Sequence, residues 1–428
     1  MFIARSAARI RAARTAFLLL AAVPTAAVIG WAAYLHSDGH RTAVERQWQN
    51  ATGLPLTIGR IEHPRPGVIR ARDCTLPATA DRPAFMIPLV ELESSADEDR
   101  LRLERLACDP AAASVLAGVV RDWIMEDVRF RRTCIVEVAD FRWADEPPAR
   151  PHEQPPRAVP LRIECVVRDH SRAVRVVWRS DSNDEVRVVR QTGAAGQATT
   201  DIPADVIEID AACSTPIPLA VLLAASGTMP AVATARAATA RAVGQIHTVC
   251  QAGDWQGKAQ GRITEVDLAA MAAAVGSRGG GEATIDVARL VWEEGRLTDG
   301  LVECATGPGW IDGPLFDRIV LATGARLGPA AGSLESDTVR RFDAAACLAT
   351  ASAQGIQFLP AVRLPAALAI RDGAVLLAAP PAPVPSDRLS WMLSAPGTAF
   401  GPAAGPGAWL MSVLPPLVPP TTGTGRQF

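Results

Sequence analysis

Apolar and polar residues alternate singly along most of this chain, the two-residue period of a strand with one wet and one dry side. One stretch departs from that period. Ala16–Leu35, AFLLLAAVPTAAVIGWAAYL, holds twenty residues without a charge, enough helix at about 1.5 Å per residue to cross a bilayer. Arg5, Arg9, Arg11 and Arg14 precede it with no acid among them, whereas Asp38, Arg41, Glu45 and Arg46 follow it. The positive-inside rule then keeps residues 1–15 in the cytoplasm and exports the chain from about residue 36 onward. Thr25-Ala26-Ala27 is an alternative signal-peptidase site, and Pro24 weakens the span. Because the apolar run continues to Leu35, where a signal would have ended, the expectation is an uncleaved transmembrane anchor over 16–35.

Beyond the anchor the pattern predicts a mainly β protein: a bent antiparallel sheet, taco-like or groove-like, with a few short helices. Residues 36–146 form an N-terminal β-rich region, opened by a short helix near His40–Asn50. Strands are expected around Leu56–Ile61 and Val68–Arg72, and on both sides of the acidic turn Ser94–Arg100. Asp109-Pro110 opens a helix over 110–124, with Asp as N-cap, Pro at the first position and Leu116, Val119, Val120, Trp123 and Ile124 on one stripe. Pro147–Pro160 carries six prolines in fourteen residues and reads as a stiff connector. Residues 161–379 form the main antiparallel sheet domain. Here Leu161, Ile163, Val174, Val176 and Trp178 alternate with charged neighbours and are the candidate apolar-face residues. Ser214-Thr215-Pro216 with Ile217–Ala225 and Gly227 spells a short capped helix. Ala231–Val243 is ambiguous, its alternation favouring strand. Asp267 caps a helix ending at Gly276. Ala283–Trp292 and Leu297–Cys304 form a hairpin whose apolar parity switches as a bulge requires. Leu315–Leu321 and the stretches at 338–342, 354–358, 367–370 and 375–378 read as further short extended segments, and residues 380–428 as a weakly structured Pro/Gly-rich tail.

Composition narrows the function classes. A net charge of −2 and pI near 6.3 give phosphates no basic face, so nucleic acid is not an expected partner. The eight cysteines never form a C-x-x-C pair, which argues against zinc-ribbon and thioredoxin chemistry; in an exported chain they either form disulfides or serve as small buried hydrophobes. Ser226 lacks the G-x-S-x-G context of a nucleophile elbow. The six histidines show no metal-ligand spacing, and the glycine run Gly276–Gly281 follows a helix where a phosphate cradle would precede one. Ser94–Arg100 and Asp181 with Asp184 read as solvated turns ahead of calcium sites. No enzyme activity, cofactor or metal is expected.

About a dozen one-sided strands outnumber the helices available to cover them, and so much apolar area needs a cover. The anchor, the run Ala51–Ile61, and Gly257-Lys-Ala-Gln-Gly-Arg-Ile263 with Val266–Leu268, Gly279–Ile285 and Gly295–Leu297 resemble the AsmA-like and TamB-like envelope proteins. That resemblance implies a bent sheet with an apolar concave face, tethered to the inner membrane and facing the periplasm, with envelope maintenance or phospholipid handling as its function. The alternative is a structural or docking component of an envelope or secretion assembly, similar to the type II secretion protein N. The partners expected are therefore the inner membrane through residues 16–35, phospholipid, and envelope proteins.

Overall fold

Twenty-one strands and seven helices account for most of the described chain, and their order follows the alternation closely. The computed structural model describes residues 7–52, 55–77, 84–125, 132–143, 159–168, 170–178, 184–192, 205–219, 221, 239–331, 339–352, 355–392 and 414. The N-terminal apolar helix comprises α1 (Ala7–Phe17), a π-helical turn over Leu18–Ala22, and α2 (Val23–Leu35). Pro24 has no N–H to continue the i−4 ladder, and the wider turn lies immediately before it. Within this run, Arg11–Leu35 is 25 residues long and apolar enough to span a membrane. Its side chains find no cover in the protein: Phe17, Leu20 and Trp31 are 67%, 80% and 62% exposed.

After a break at His36–Ser37 comes α3 (Asp38–Thr52), which joins this helix to the sheet. Val44 and Trp48 pack into the first apolar cluster, and the Glu45 carboxylate accepts the backbone N–H of Ile58 at 2.8 Å. Then follow β1 (Thr57–Arg65), β2 (Val68–Leu76), β3 (Phe85–Ser94), β4 (Glu98–Cys108), α4 (Pro110–Met125) and β5 (Thr133–Trp143). The Asp109 side chain caps α4 by accepting from Ala112 N at 2.7 Å, as its sequence predicts. Next are β6 (Leu161–Arg168), β7 (Ser171–Trp178), β8 (Glu185–Gln191), β9 (Val206–Pro218), β10 (Arg241–Gln251) and β11 (Asp254–Asp267). After α5 (Leu268–Ala274) and β12 (Gly279–Gly280) come β13 (Glu282–Glu293), β14 (Arg296–Thr306), β15 (Gly309–Asp312), α6 (Gly313–Thr323), β16 (Arg326–Leu327) and β17 (Val339–Phe342). The chain closes with β18 (Ala344–Ser352), β19 (Gly355–Pro360), β20 (Ala369–Arg371), β21 (Ala374–Ala378) and α7 (Ser386–Met392).

The strands pair in chain order from β1 to β11, and on through β13, β14 and β18. The parallel junction in this succession is β4–β5, where α4 supplies the crossover that a parallel pair requires. At β18 the sheet divides, with β19 and β20 sharing its far edge and β21 and β16 beyond β20. A small second sheet joins β12, β15 and β17. β5 pairs directly with β6, so the large sheet runs unbroken past the proline-rich stretch, of which residues 147–158 lie outside the described residues.

Three expectations are revised. The chain at Ser214–Pro218 is strand, the end of β9, because Ser214 and Thr215 bind Asp184 and do not cap a helix; within the expected helix Leu219 and Val221 are helical, and residues 220 and 222–238 lie outside the described residues. Residues 315–321 are helical. Asp312 accepts from Leu315 N at 2.9 Å, Pro314 stands in the first turn, and Gly324 at φ 69° stops the helix, a cap-to-cap signature that the short apolar run obscured. The tail is ordered as far as Met392: Val384 bridges Ile356, and Val384, Leu389 and Leu414 form a cluster against Leu297, Ile356 and Phe358.

Asp312 also accepts from Arg278 N at 2.8 Å and is 8% exposed, so one carboxylate holds α6 and the loop after α5. Asp312→Ala is expected to cost about 2 kcal/mol, an N-cap plus an orphaned buried N–H, read as a lowered thermal midpoint of the full chain in detergent.

Candidate functional site

Residues directly opposite one another in a sheet point to the same face, so the register alone assigns every side chain to one side or the other. One rung can be followed across fourteen consecutive strands: Ile69, Leu92, Leu101, Val136, Ile163, Val176, Val186, Ala211, Ile246, Ala259, Leu290, Gly300, Ala351 and Ile356. Every member is apolar. The neighbouring rung on the opposite face reads Arg70, Glu91, Arg102, Glu137 and Arg162, a ladder of alternating sign. Its ion pairs include Arg70–Glu91 at 2.5 Å, with Arg102–Glu137 and Arg162–Glu137 both at 3.3 Å. Exposed pairs of this kind add less than about 1 kcal/mol each; their larger effect is to make that face wet and unattractive to other strands.

The five candidate apolar-face residues lie together on the dry side. Leu161 faces Trp178, Ile163 faces Val176, and Val174 faces Cys165. Ile163, Val174 and Val176 are already covered: they pack with Trp123 and Ile124 of α4, while Leu161 belongs to the first cluster beneath α3. Two inward arginines hold α4 in place. Arg172 donates to Trp123 O at 2.8 Å and lies over its ring at 5.6 Å, and Arg190 donates to Met125 O at 2.7 Å and to Asp205 at 2.7 Å. These cations satisfy carbonyls at a helix C-terminus, where the dipole favours positive charge. The period itself puts Arg172 on the face of Val174 and Arg190 on that of Val188; only the structure shows what they bind there.

Further along, the dry face is buried at Thr248 and Cys250 and more open at their neighbours. Among the described residues, none of the five apolar clusters takes a member from β9, β10, β11 or β13. Ile207, Ile209, Trp255, Ile263, Ile285, Val287 and Trp292 stand half-buried on this face, and Ile246 is exposed. The strands bend toward it. A Cβ on Gly244 would lie 2.2 Å from Gln260 O and 2.6 Å from Gly261 Cα, and one on Gly261 would lie 2.2 Å from Val243 O. Facing residues in a flat antiparallel pair keep their Cβ atoms about 4.5–5.5 Å apart, so β10 and β11 fold over one another with the dry side inward, at glycines that permit the approach.

Titratable groups gather elsewhere. On the wet face Glu208, Asp210 and His247 bring ligand atoms within 4.8 Å of one another, with His247 Nδ1 2.5 Å from Asp210 Oδ1. Arg187 and Lys258 stand directly across from Asp210 and His247 and oppose a dication there. At the junction between α3 and the sheet, His40 Nε2 and His63 Nε2 are 3.1 Å apart; burial and the nearby imidazoles of His40 and His36 hold His63 below its usual range. Spacing along the sequence had left these histidines unpaired, because the pairing crosses from helix to strand. Ser94 and Glu98 flank the tip of the β3–β4 hairpin, the solvated turn expected. Asp181 lies outside the described residues.

Four of the eight cysteines, Cys74, Cys108, Cys165 and Cys250, are buried. Burial pushes the Cys74 thiol up to about 11 and those of Cys108 and Cys213 up to about 12. No family model, curated protein or solved structure matches this chain at a significant level.

Proposed function

We propose that this is a membrane-anchored, extracytoplasmic β-sheet protein of the AsmA-like kind, whose dry face holds phospholipid acyl chains in envelope maintenance or lipid handling. The observation that carries this reading is the unbroken apolar rung, backed by a charged ladder, with no apolar cluster among the described residues drawing on β9, β10, β11 or β13. Area of that kind favours contact with apolar chains by roughly 25 cal/mol per Å². The glycine-rich bend around Gly244 and Gly261 supports a groove shape over a flat sheet. Four arginines before the span and mixed charges after it support an inner-membrane anchor with the body in the periplasm. A docking component of an envelope or secretion assembly is the second reading; in its favour, α3, α4 and the tail already fill the dry face near both ends of the sheet.

A photoreactive benzoylphenylalanine placed at Ile263 or Val287 on the dry face, or at Arg262 or Asp286 on the wet face, distinguishes the two readings in the full chain. Phospholipid adducts are expected at the first pair and not at the second. Adducts to protein alone at Ile263 and Val287 would favour docking and remove the lipid reading. Val287→Arg is expected to reduce phospholipid co-purifying with the full chain about tenfold, because a guanidinium on this face must be desolvated against apolar chains. Val176 is unsuited to such a test, since α4 covers it.

A further inference from the structure

We infer that Cys304 and Cys347 are a redox pair, oxidised to a cross-strand disulfide that fastens the end of the sheet to its long meander. The two residues stand directly opposite one another on β14 and β18, on the dry side. Both are half-buried, as are Cys134 and Cys213, whereas Cys74, Cys108, Cys165 and Cys250 are buried. The neighbouring Cys347 thiol holds Cys304 below the ordinary thiol range while burial opposes it. Cys304, with burial, raises Cys347. A more acidic thiol beside a second one is the arrangement in which a thiolate attacks and its neighbour resolves.

The step balances with a disulfide oxidant. Cys304 thiolate attacks one sulfur of oxidised glutathione or of a protein disulfide, forming a mixed disulfide and releasing one thiolate. Cys347, after losing its proton, displaces the second, so two cysteines lose two electrons and two protons and the oxidant becomes two thiols. Facing Cβ atoms in a sheet start somewhat further apart than the roughly 3.5–4.5 Å of a relaxed disulfide, so this bond is expected to be easily reduced.

The position gives the bond a consequence. β18 is where the sheet divides, and on its far side Cys347 faces Pro360, which has no N–H to donate. On that side the neighbouring Ala346 N–H is taken by Leu368 O at 2.9 Å, while β14 lies along the other edge. Between the two cysteines lie the small sheet's β15 and β17, and α6, so a bond there closes that whole excursion. Cys134 also faces Cys165, but Cys165 is 6% exposed and packed with Trp123 and Ile124, closed to an incoming oxidant.

The test uses the full chain in its membrane fraction, treated with oxidised glutathione, quenched with N-ethylmaleimide without reductant, digested and analysed by mass spectrometry. A Cys304–Cys347 cross-linked peptide is expected. In Cys304→Ser, Cys347 is expected to accumulate as a persistent glutathione adduct or to remain free, with no cross-link to another cysteine. Dithiothreitol is expected to lower the thermal midpoint of the oxidised chain but not that of Cys304→Ser/Cys347→Ser. Recovery of both cysteines from the folded wild-type chain as separate maleimide or glutathione adducts would overturn the inference, as would a midpoint indifferent to dithiothreitol. The first measurement needs only the wild-type chain, so it stands even where a variant fails to fold.

Discussion

Gly244→Val is expected to destabilise the protein by more than about 3 kcal/mol, and Gly261→Val by a similar amount. The reason is contact with backbone, which cannot move aside as a side-chain tip can. The first Cβ meets Gln260 O at 2.2 Å and the second meets Val243 O at 2.2 Å, and Gly244 also sits at φ 148°, where a β-branched residue is strained. Relief requires β10 and β11 to separate, which breaks the paired register from Arg241 to Gln251 and opens the bend. Overpacking a well-packed site ordinarily costs about 1–3 kcal/mol, and backbone strain adds to it. Gly307→Ala is the control, because nothing lies within 4 Å of its Cβ position; its effect is expected to stay within about 0.5 kcal/mol. The measurement is thermal or chemical denaturation of the full chain in detergent. A Gly244→Val protein as stable as Gly307→Ala would show that the strands do not approach as described.

The second large effect is expected at Asp184, 1% exposed at the start of β8. Its carboxylate accepts from Ser214 N at 2.5 Å and Ser214 Oγ at 2.6 Å, and from Thr215 N at 3.2 Å and Thr215 Oγ1 at 2.5 Å. Burial alone would favour the neutral acid, but these donors outweigh it and hold Asp184 below its ordinary range. Asp184→Asn is expected to cost about 3 kcal/mol at neutral pH, since an amide cannot accept at both of its heavy atoms and leaves buried donors unpaired. The pH dependence has a definite sign. A carboxylate whose folded value lies below its unfolded value stabilises the fold fully above the unfolded value, about 3.9, and loses that contribution as pH falls through the lower folded value. Wild type and Asp184→Asn are therefore expected to converge in stability below about pH 4. A gap in thermal midpoint that stays constant from pH 7 to pH 3 would contradict this.

Asp184 also shows where sequence reading ran out. As one of two aspartates in a polar turn it looked solvated, and its partners Ser214 and Thr215 looked like helix caps; both readings follow from local preference. Asp184 and Ser214 stand thirty positions apart, and no local pattern encodes their meeting. Ala344–Ser352 is a similar case. Its alanines carry no alternation, yet it is the strand at which the sheet divides, because its neighbours supply the ladder. The bulge in Glu282–Glu293, in contrast, was legible. Apolar parity changes between Val287 and Leu290, and the register with β14 slips between Val287 and Arg289, since one extra residue must return the side chains to their faces.

The alternation of side chains by itself determined most of the strands and their two faces, and the apolar run a helix long enough to span a membrane, because period and length are properties of the chain read locally. It placed Leu161, Ile163, Val174, Val176 and Trp178 on one side correctly. Only the tertiary structure decided which parts of that side are covered: α4 comes to rest on Val174 and Val176 through Arg172 and Arg190, and the tail on Leu297 and Phe358. It also turned Gly244 and Gly261 into a bend and set Cys304 against Cys347. Those are contacts between residues tens of positions apart, fixed by register and chain reversal, which a local period cannot carry.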